Sequence, residues 1–265
     1  MGSAPSAPGR DHPVTFADRS DAGIQLSRAL REGTWIAPIV LGLPRGGVPV
    51  AAPVAAALGA PLDVLVARKV GAPGQPELGI GAVAEGGGEP MWTALADRLV
   101  PDPDERAALV AAERDEIDRR VATYRGGRAL GSLAGRDVVV VDDGLATGVT
   151  AEAALRAVAA HRPATLTLAV PVGAPDTVER LRPLASEVVC LLTPPDLGAV
   201  GAWYRDFRQT PHREVLGLLD QLRRRAAPSP EPRLATGAGH VPAPEGRGRA
   251  PVRGPRLSGR RRGAP

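Results

Sequence analysis

Aromatic side chains are nearly missing from this chain, with three Trp, two Tyr and two Phe in 265 residues. A core must then be filled by Ala, Val, Leu and Ile, whose methyl groups pack without rings. Cysteine occurs once, as Cys190, which excludes a disulfide framework and any multi-cysteine zinc site. Its place inside an apolar run reads as core. Lysine also occurs once, as Lys69, among 33 basic residues. No apolar run approaches the ~20 residues that span a bilayer, and no apolar signal segment opens the chain. The expectation is a soluble cytoplasmic protein. His12, His161, His212 and His240 lack metal-ligand spacing, and there is no Gly-x-Ser-x-Gly nucleophile elbow.

What is present is uneven along the chain. Residues 226–265 hold eight Arg and two Glu, a net of +6, so the overall +4 leaves the first 225 residues at −2. The basic balance therefore belongs to a tail. Pro and Gly make up 15 of its 40 residues, and such a segment buries too little apolar surface to offset its ordering entropy. The expected organisation is a disordered N-terminus at 1–13, one folded domain at 14–225 and a disordered Pro/Gly/Arg-rich tail at 226–265. Arginines without interleaved aromatics give at most weak, salt-sensitive attraction to nucleic acid.

Within the domain, short β-branched runs alternate with amphipathic stretches. Strands are expected at 39–41, 62–67, 80–84, 138–141, 165–171 and 187–192. Helices are expected at 24–30, 47–59, 104–124, 150–160 and 174–182. Continuous apolar strands alternating with helices predict an α/β fold, a mostly parallel sheet flanked by helices on both faces. Ligands of such sheets sit beyond the carboxyl ends of the strands.

Three strand ends carry chemistry. After residues 138–141 come Asp142, Asp143, Gly144, Leu145, Ala146, Thr147, Gly148, Val149 and Thr150. Small and hydroxylic residues leading into a helix aim consecutive N–H groups at one spot, an anion cradle suited to a phosphate monoester. The two carboxylates beside it would repel phosphate on contact. They are suited instead to accept hydrogen bonds from vicinal hydroxyls, or to help hold a hydrated Mg²⁺. A sugar phosphate satisfies both halves. The plainer alternative makes Asp143 and Thr150 ordinary helix-capping residues. The second strand end, Leu43-Pro44-Arg45-Gly46-Gly47, is a turn signal in any protein. Its glycines also let the backbone approach a ligand, and Arg45 could grip a diphosphate. The third pairs Arg68 with Lys69 ahead of a Gly/Pro-rich stretch, where adjacent charges are either a solvated pair or a cationic site for a leaving anion.

Residues 138–151 resemble the 5-phosphoribosyl 1-pyrophosphate (PRPP) motif of type I phosphoribosyltransferases, and the three strand ends occur in that family's order. The resemblance covers most of 14–220. It is closest to an uncharacterised bacterial subgroup sharing strings like LPRGGVPVA, ARKVGAPG-PELGIGAVAEG and VVDDGLATG. It implies a Rossmann-like domain with a small hood, in which Asp142 and Asp143 contact the ribose hydroxyls and, through them or water, Mg²⁺. Residues 144–150 would wrap the 5′-phosphate, and Arg45, Gly46 and Gly47 would take pyrophosphate. Arg68 and Lys69 would stabilise the departing pyrophosphate, and the stretch after them would be a mobile catalytic loop that carries Glu77. Gly144 and Val149 depart from the commonest motif, which has a bulky apolar residue and a second glycine there. A requirement for φ > 0 at 149 would strain a β-branched residue.

Trp203, Tyr204 and Phe207 follow the last strand. They are read either as the family's hood stacking on an acceptor base or as rings pinning the C-terminal helix to the core. The resemblance implies a Mg²⁺-dependent enzyme, commonly a homodimer, that transfers the phosphoribosyl group from PRPP to a small nitrogen acceptor such as a nucleobase. The alternative on the same fold is a PRPP- or nucleotide-sensing protein without turnover.

Overall fold

The computed structural model describes residues 15–86 and 88–226. The two terminal segments expected to be disordered lie outside those residues, apart from Ala226. In chain order the elements are α1 (Arg19–Leu30), β1 (Ile39–Gly42), α2 (Gly47–Leu58), β2 (Leu62–Val64), β3 (Ala67–Ala72), β4 (Gln75–Ala84) and β5 (Met91–Trp92). There follow α3 (Ala96–Leu99), α4 (Pro103–Arg125), β6 (Asp137–Val141), α5 (Val149–Ala160), β7 (Thr165–Val172), α6 (Pro175–Leu181), β8 (Glu187–Leu192) and α7 (His212–Ala226).

The four valines of β6 sit at the centre of a parallel sheet ordered β2-β1-β6-β7-β8. Ile39 lies opposite Val138, and Asp137 opposite Thr165. Side-chain alternation divides the core between the two faces. Val40, Val139 and Val141 pack with Leu26 of α1, Val50 of α2, Ile117 of α4 and Leu219 of α7. Leu41, Val138, Val140 and Leu168 face the other way, onto Leu155 and Val158 of α5 and Leu181 of α6. Both faces are dry, which is why these strands read as unbroken apolar runs.

Helix ends follow their capping chemistry. Asp18 accepts from the Asp21 amide at 2.8 Å, so α1 starts five residues earlier than its apolar spacing indicates. Asp102 with Pro103 opens α4, and Gly126 closes it in the left-handed region.

The structure corrects one reading of the middle segment. The run at 62–67 is not one strand. The Leu65 amide still donates to Gly42 at 3.1 Å, but that of Val66 turns to Glu85 Oε1 at 2.8 Å. From Ala67 onward the chain pairs with β4 in a second, antiparallel sheet, β3-β4-β5, so the 80–84 strand leaves the parallel sheet. A buried ion pair of Glu85 with Arg125 marks the crossing, and Arg125 also donates to the Val64 carbonyl at 3.0 Å. The Gly/Pro-rich stretch that follows, expected as a mobile loop, has a regular form. It is a hairpin, with Ala72 opposite Gln75 and Pro73-Gly74 as its two-residue turn, Gly74 at φ 72°.

Among the described residues, no helix is long and apolar enough to cross a membrane.

Candidate functional site

Strand order reverses between β1 and β6, since β1 leads outward to β2 while β6 leads to β7 and β8 on the other side. At such a switch point the loops leaving the two strands part and open a crevice. The 43–47 turn and the 142–148 loop emerge at that place. The Leu43 amide donates to the Val141 carbonyl at 2.9 Å, which locks the two strand ends together.

The diacid is half-buried here. Asp142 Oδ1 accepts from the Asp143 amide at 2.9 Å. Asp143 Oδ2 accepts from Arg19 Nε at 2.8 Å, and its main-chain carbonyl accepts the Tyr204 hydroxyl at 2.6 Å. Desolvation pushes the Asp142 carboxyl well above the usual range, and the charge of Asp143 pushes the same way. Desolvation also raises Asp143, with Arg19 opposing it. Burial drives the Tyr204 phenol upward, so it remains a donor.

The 43–47 turn lies against the diacid, and its glycines are required by that contact. A Cβ on Gly46 would run into the Asp143 carboxylate, and one on Gly47 would fall 2.6 Å from the Val141 carbonyl. The peptide bond joining Pro44 to Arg45 is cis. The Arg45 side chain is half-buried.

In the next loop Gly148 holds the left-handed conformation, at φ 67° and ψ 6°, as the N-cap of α5. Position 149 needs no positive φ, and Val149 enters the helix buried against Ala82 and Ala153. Gly144 is small because Val200 occupies the space where a larger side chain would stand. The loop is held by its carbonyls, with Thr177 Oγ1 donating to Ala146 at 2.8 Å and Arg180 to Thr147 at 2.6 Å. Among the described residues, the amides of Ala146, Thr147, Gly148, Val149 and Thr150 donate to no protein acceptor. Together with the α5 dipole they have the geometry of an anion cradle. Leu145 lies beneath it, buried and bridged to Gly173.

The hairpin separates the two cations expected to act together. Lys69 lies opposite Ala82, whose side chain packs on Val149 at the start of α5. Directly opposed residues share a face, so Lys69 is on the cradle side. Its Nζ donates to the Glu77 carbonyl at 2.7 Å, and its stem crosses Gly79, where a Cβ would lie 2.8 Å from Lys69 Cδ. Arg68 is on the opposite face, ion-paired to Glu113 of α4 at 2.8 Å. Glu77 is fully exposed at the hairpin, 3.7 Å from Lys69 Nζ.

Trp203 and Tyr204 are both buried, and the fold uses their rings. The Trp203 carbonyl accepts from the Phe16 amide at 3.1 Å, and its indole donates to Leu197. Tyr204 packs between Phe16 at 5.2 Å and Phe207 at 4.9 Å. The rings do not pack on the C-terminal helix, whose Val215 and Leu219 join the cluster of Val139 and Val141; they fasten residues 15–17 to the segment after β8.

Arg19, Thr177 and Arg180 escape the sequence reading. The one signal for Arg19 is local, a cation in the first turn of a helix, where the dipole disfavours it. A cavity of about 560 Å³, lined in part by Arg19, opens between the starts of α1, α2 and α7.

Among the described residues, no cluster of three or more His, Cys, Asp or Glu could cage a metal. Asp143 is committed to Arg19, and Asp142 keeps free lone pairs beside the cradle. That donor set fits Mg²⁺ held through ligand hydroxyls or water, with the carboxylates outside its inner sphere.

A model of the phosphoribosyl transferase domain matches residues 21–201. Provisionally named phosphoribosyl transferases in two strains of Mycobacterium tuberculosis, CDC 1551 / Oshkosh and H37Rv, are each 49% identical over 213 residues, covering 79% of this chain and 47% of theirs. The chain thus spans about half the length of those curated relatives. The crystal structure of TT1426 from Thermus thermophilus is 47% identical and superposes with a TM-score of 0.68, over 78% of this chain and 99% of that one. With the parallel sheet, the switch-point diacid and the anion cradle in place, these matches show that the chain belongs to the phosphoribosyl transferase domain family.

Proposed function

We propose that the chain transfers the 5-phosphoribosyl group of PRPP to a nitrogen acceptor, a nucleobase among the candidates, with release of pyrophosphate. One observation carries the reading. At a single switch point, a free-amide cradle opening α5 and a glycine turn opening α2 flank a half-buried diacid. A ligand with phosphate at one end, vicinal hydroxyls in the middle and diphosphate at the other matches that order.

In this reading the amides of residues 146–150 hold the 5′-phosphate, and Asp142 with Asp143 accept from the ribose hydroxyls. The 43–47 turn takes pyrophosphate through its backbone and Arg45. Lys69, on the cradle face of its hairpin, supplies charge as the bond from C1 to pyrophosphate breaks, while Arg68 stays on the other face with Glu113. Mg²⁺ carried by PRPP would neutralise the leaving group, with Asp142 and Asp143 accepting from its waters or from the hydroxyls. Catalysis is then positioning and leaving-group electrostatics.

The test is pyrophosphate release from PRPP and Mg²⁺ across a panel of nucleobases, with Asp142→Asn as control. Release with one acceptor, lost in the control, supports transfer. Tight PRPP binding with no release for any acceptor would turn the reading into a sensor.

A further inference from the structure

We infer that Arg19 is a positioning residue for the donor site, holding the Asp143 carboxylate in place and cancelling one of the two diacid charges. The inference rests on the phosphoribosyl-transfer reading and adds a residue to it. Its basis is a closed circuit of contacts. Arg19 Nε donates to Asp143 Oδ2 at 2.8 Å, and Arg19 Nη1 donates to the Arg208 carbonyl at 2.8 Å. The guanidinium lies 3.8 Å over the Phe207 ring, Phe207 packs on Tyr204, and Tyr204 returns to the Asp143 carbonyl. Asp143 is therefore gripped at both its carboxylate and its backbone from the segments fastened over the strand ends.

Three physical arguments make this more than a surface ion pair. The side chains of Arg19 and Asp143 are only 11% and 18% exposed, so water screens them little. Arg19 occupies the first turn of α1, where a cation opposes the helix dipole, and the ion pair with Asp143 offsets that cost. The carboxylate also fills the space directly above Gly46, so the rotamer that Arg19 selects keeps Asp143 on the 43–47 turn. Two adjacent carboxylates would repel a donor carrying phosphate and diphosphate. With Arg19 in contact, the pair presents one net negative charge, while Asp142 remains free to accept hydroxyls.

The experiment compares wild type with Arg19→Gln and Arg19→Lys in the full chain, by PRPP calorimetry and steady-state kinetics. In Arg19→Gln the Kd and KM for PRPP are expected to rise about tenfold, the scale of one charged hydrogen bond, with kcat at saturating PRPP much less affected. Arg19→Lys keeps the charge and should recover part of the loss. Unchanged PRPP affinity in folded variants overturns the inference. If Arg19→Gln does not fold, Arg19→Lys decides on the same criterion, because it loses the fork and the ring contact. The carboxyl ¹³C resonance of Asp143, assigned by its disappearance in Asp143→Asn, reads the grip without any ligand. A shift in the Arg19 variants at constant pH supports the inference, and an unmoved resonance overturns it. Wild type that binds no PRPP overturns the transfer reading instead, and the resonance still decides whether Arg19 holds Asp143.

Discussion

The Tyr204 hydroxyl donates to the main-chain carbonyl of Asp143 at 2.6 Å, across 61 residues of sequence. A ring that the sequence offers as a stacking platform thus acts through its polar end, on the backbone of the diacid. Tyr204→Phe keeps the packing against Phe16 and Phe207 but leaves that carbonyl without its donor. The expected cost is about 1–2 kcal/mol of stability, read by urea unfolding, with weaker PRPP binding. A stability equal to wild type would show that the bond is not made in solution.

Gly148 and Gly135 separate backbone conformation from crowding. Both have positive φ, 67° and 68°, but a Cβ at 148 would strike Thr177 whereas the space at 135 is open. Gly135→Ala should cost about 1 kcal/mol through conformation alone and leave ligand affinity intact. Gly148→Ala should cost about 2–4 kcal/mol, because Thr177 must also move, and it should weaken binding of ribose 5-phosphate. Thermal unfolding and calorimetry on the two variants check the contrast.

Asp142 gives a pH-dependent prediction. Its carboxyl is raised by desolvation, so the folded state binds its proton more tightly than the unfolded chain does. Stability from this group is then full below the unfolded carboxylate pKa and falls as pH rises toward the raised folded pKa. At neutral pH the ionised carboxylate is a net cost. Asp142→Asn keeps the oxygen that accepts the Asp143 amide and removes the charge. It should abolish transfer while stabilising the fold by on the order of 1 kcal/mol at pH 7. The gain should vanish near pH 4, which melting curves across pH will show.

Glu85 and Arg125 form a buried ion pair where the chain leaves the parallel sheet, with burial lowering the Arg125 pKa. Removing one partner strands the other charge away from water. Glu85→Gln should therefore cost about 3–5 kcal/mol in urea unfolding. A loss under about 1 kcal/mol would mean that water reaches the pair.

Much of the parallel layer was legible because its residues carry the signal locally. The valines at 138–141, the Leu and Val of 165–172 and the Ala-rich helices between them have periods that only a sheet covered on both faces accommodates. The diacid and the two glycine turns were legible for the same reason, since the 43–47 and 142–150 segments each hold their chemistry in consecutive residues. The antiparallel hairpin was not. Residues 62–67 look like one strand, and the break at Val64 is made by Glu85 and Arg125, which are distant in sequence. The division of Arg68 from Lys69 was hidden too, because facing depends on the register with β4.

By itself, the sequence determined the α/β class, the order of the parallel strands along the chain and the two strand ends, after β1 and β6, that carry the glycine turn and the diacid. Composition and spacing along a short segment suffice for these. The third strand end that the sequence offered, at Arg68 and Lys69, lies inside β3. Only the tertiary structure decided which groups meet. It put Arg19 on Asp143, Tyr204 on the Asp143 carbonyl, Val200 in the space above Gly144 and Lys69 rather than Arg68 on the cradle side. Each contact joins residues far apart in the chain, and packing and register set such contacts while local patterning does not.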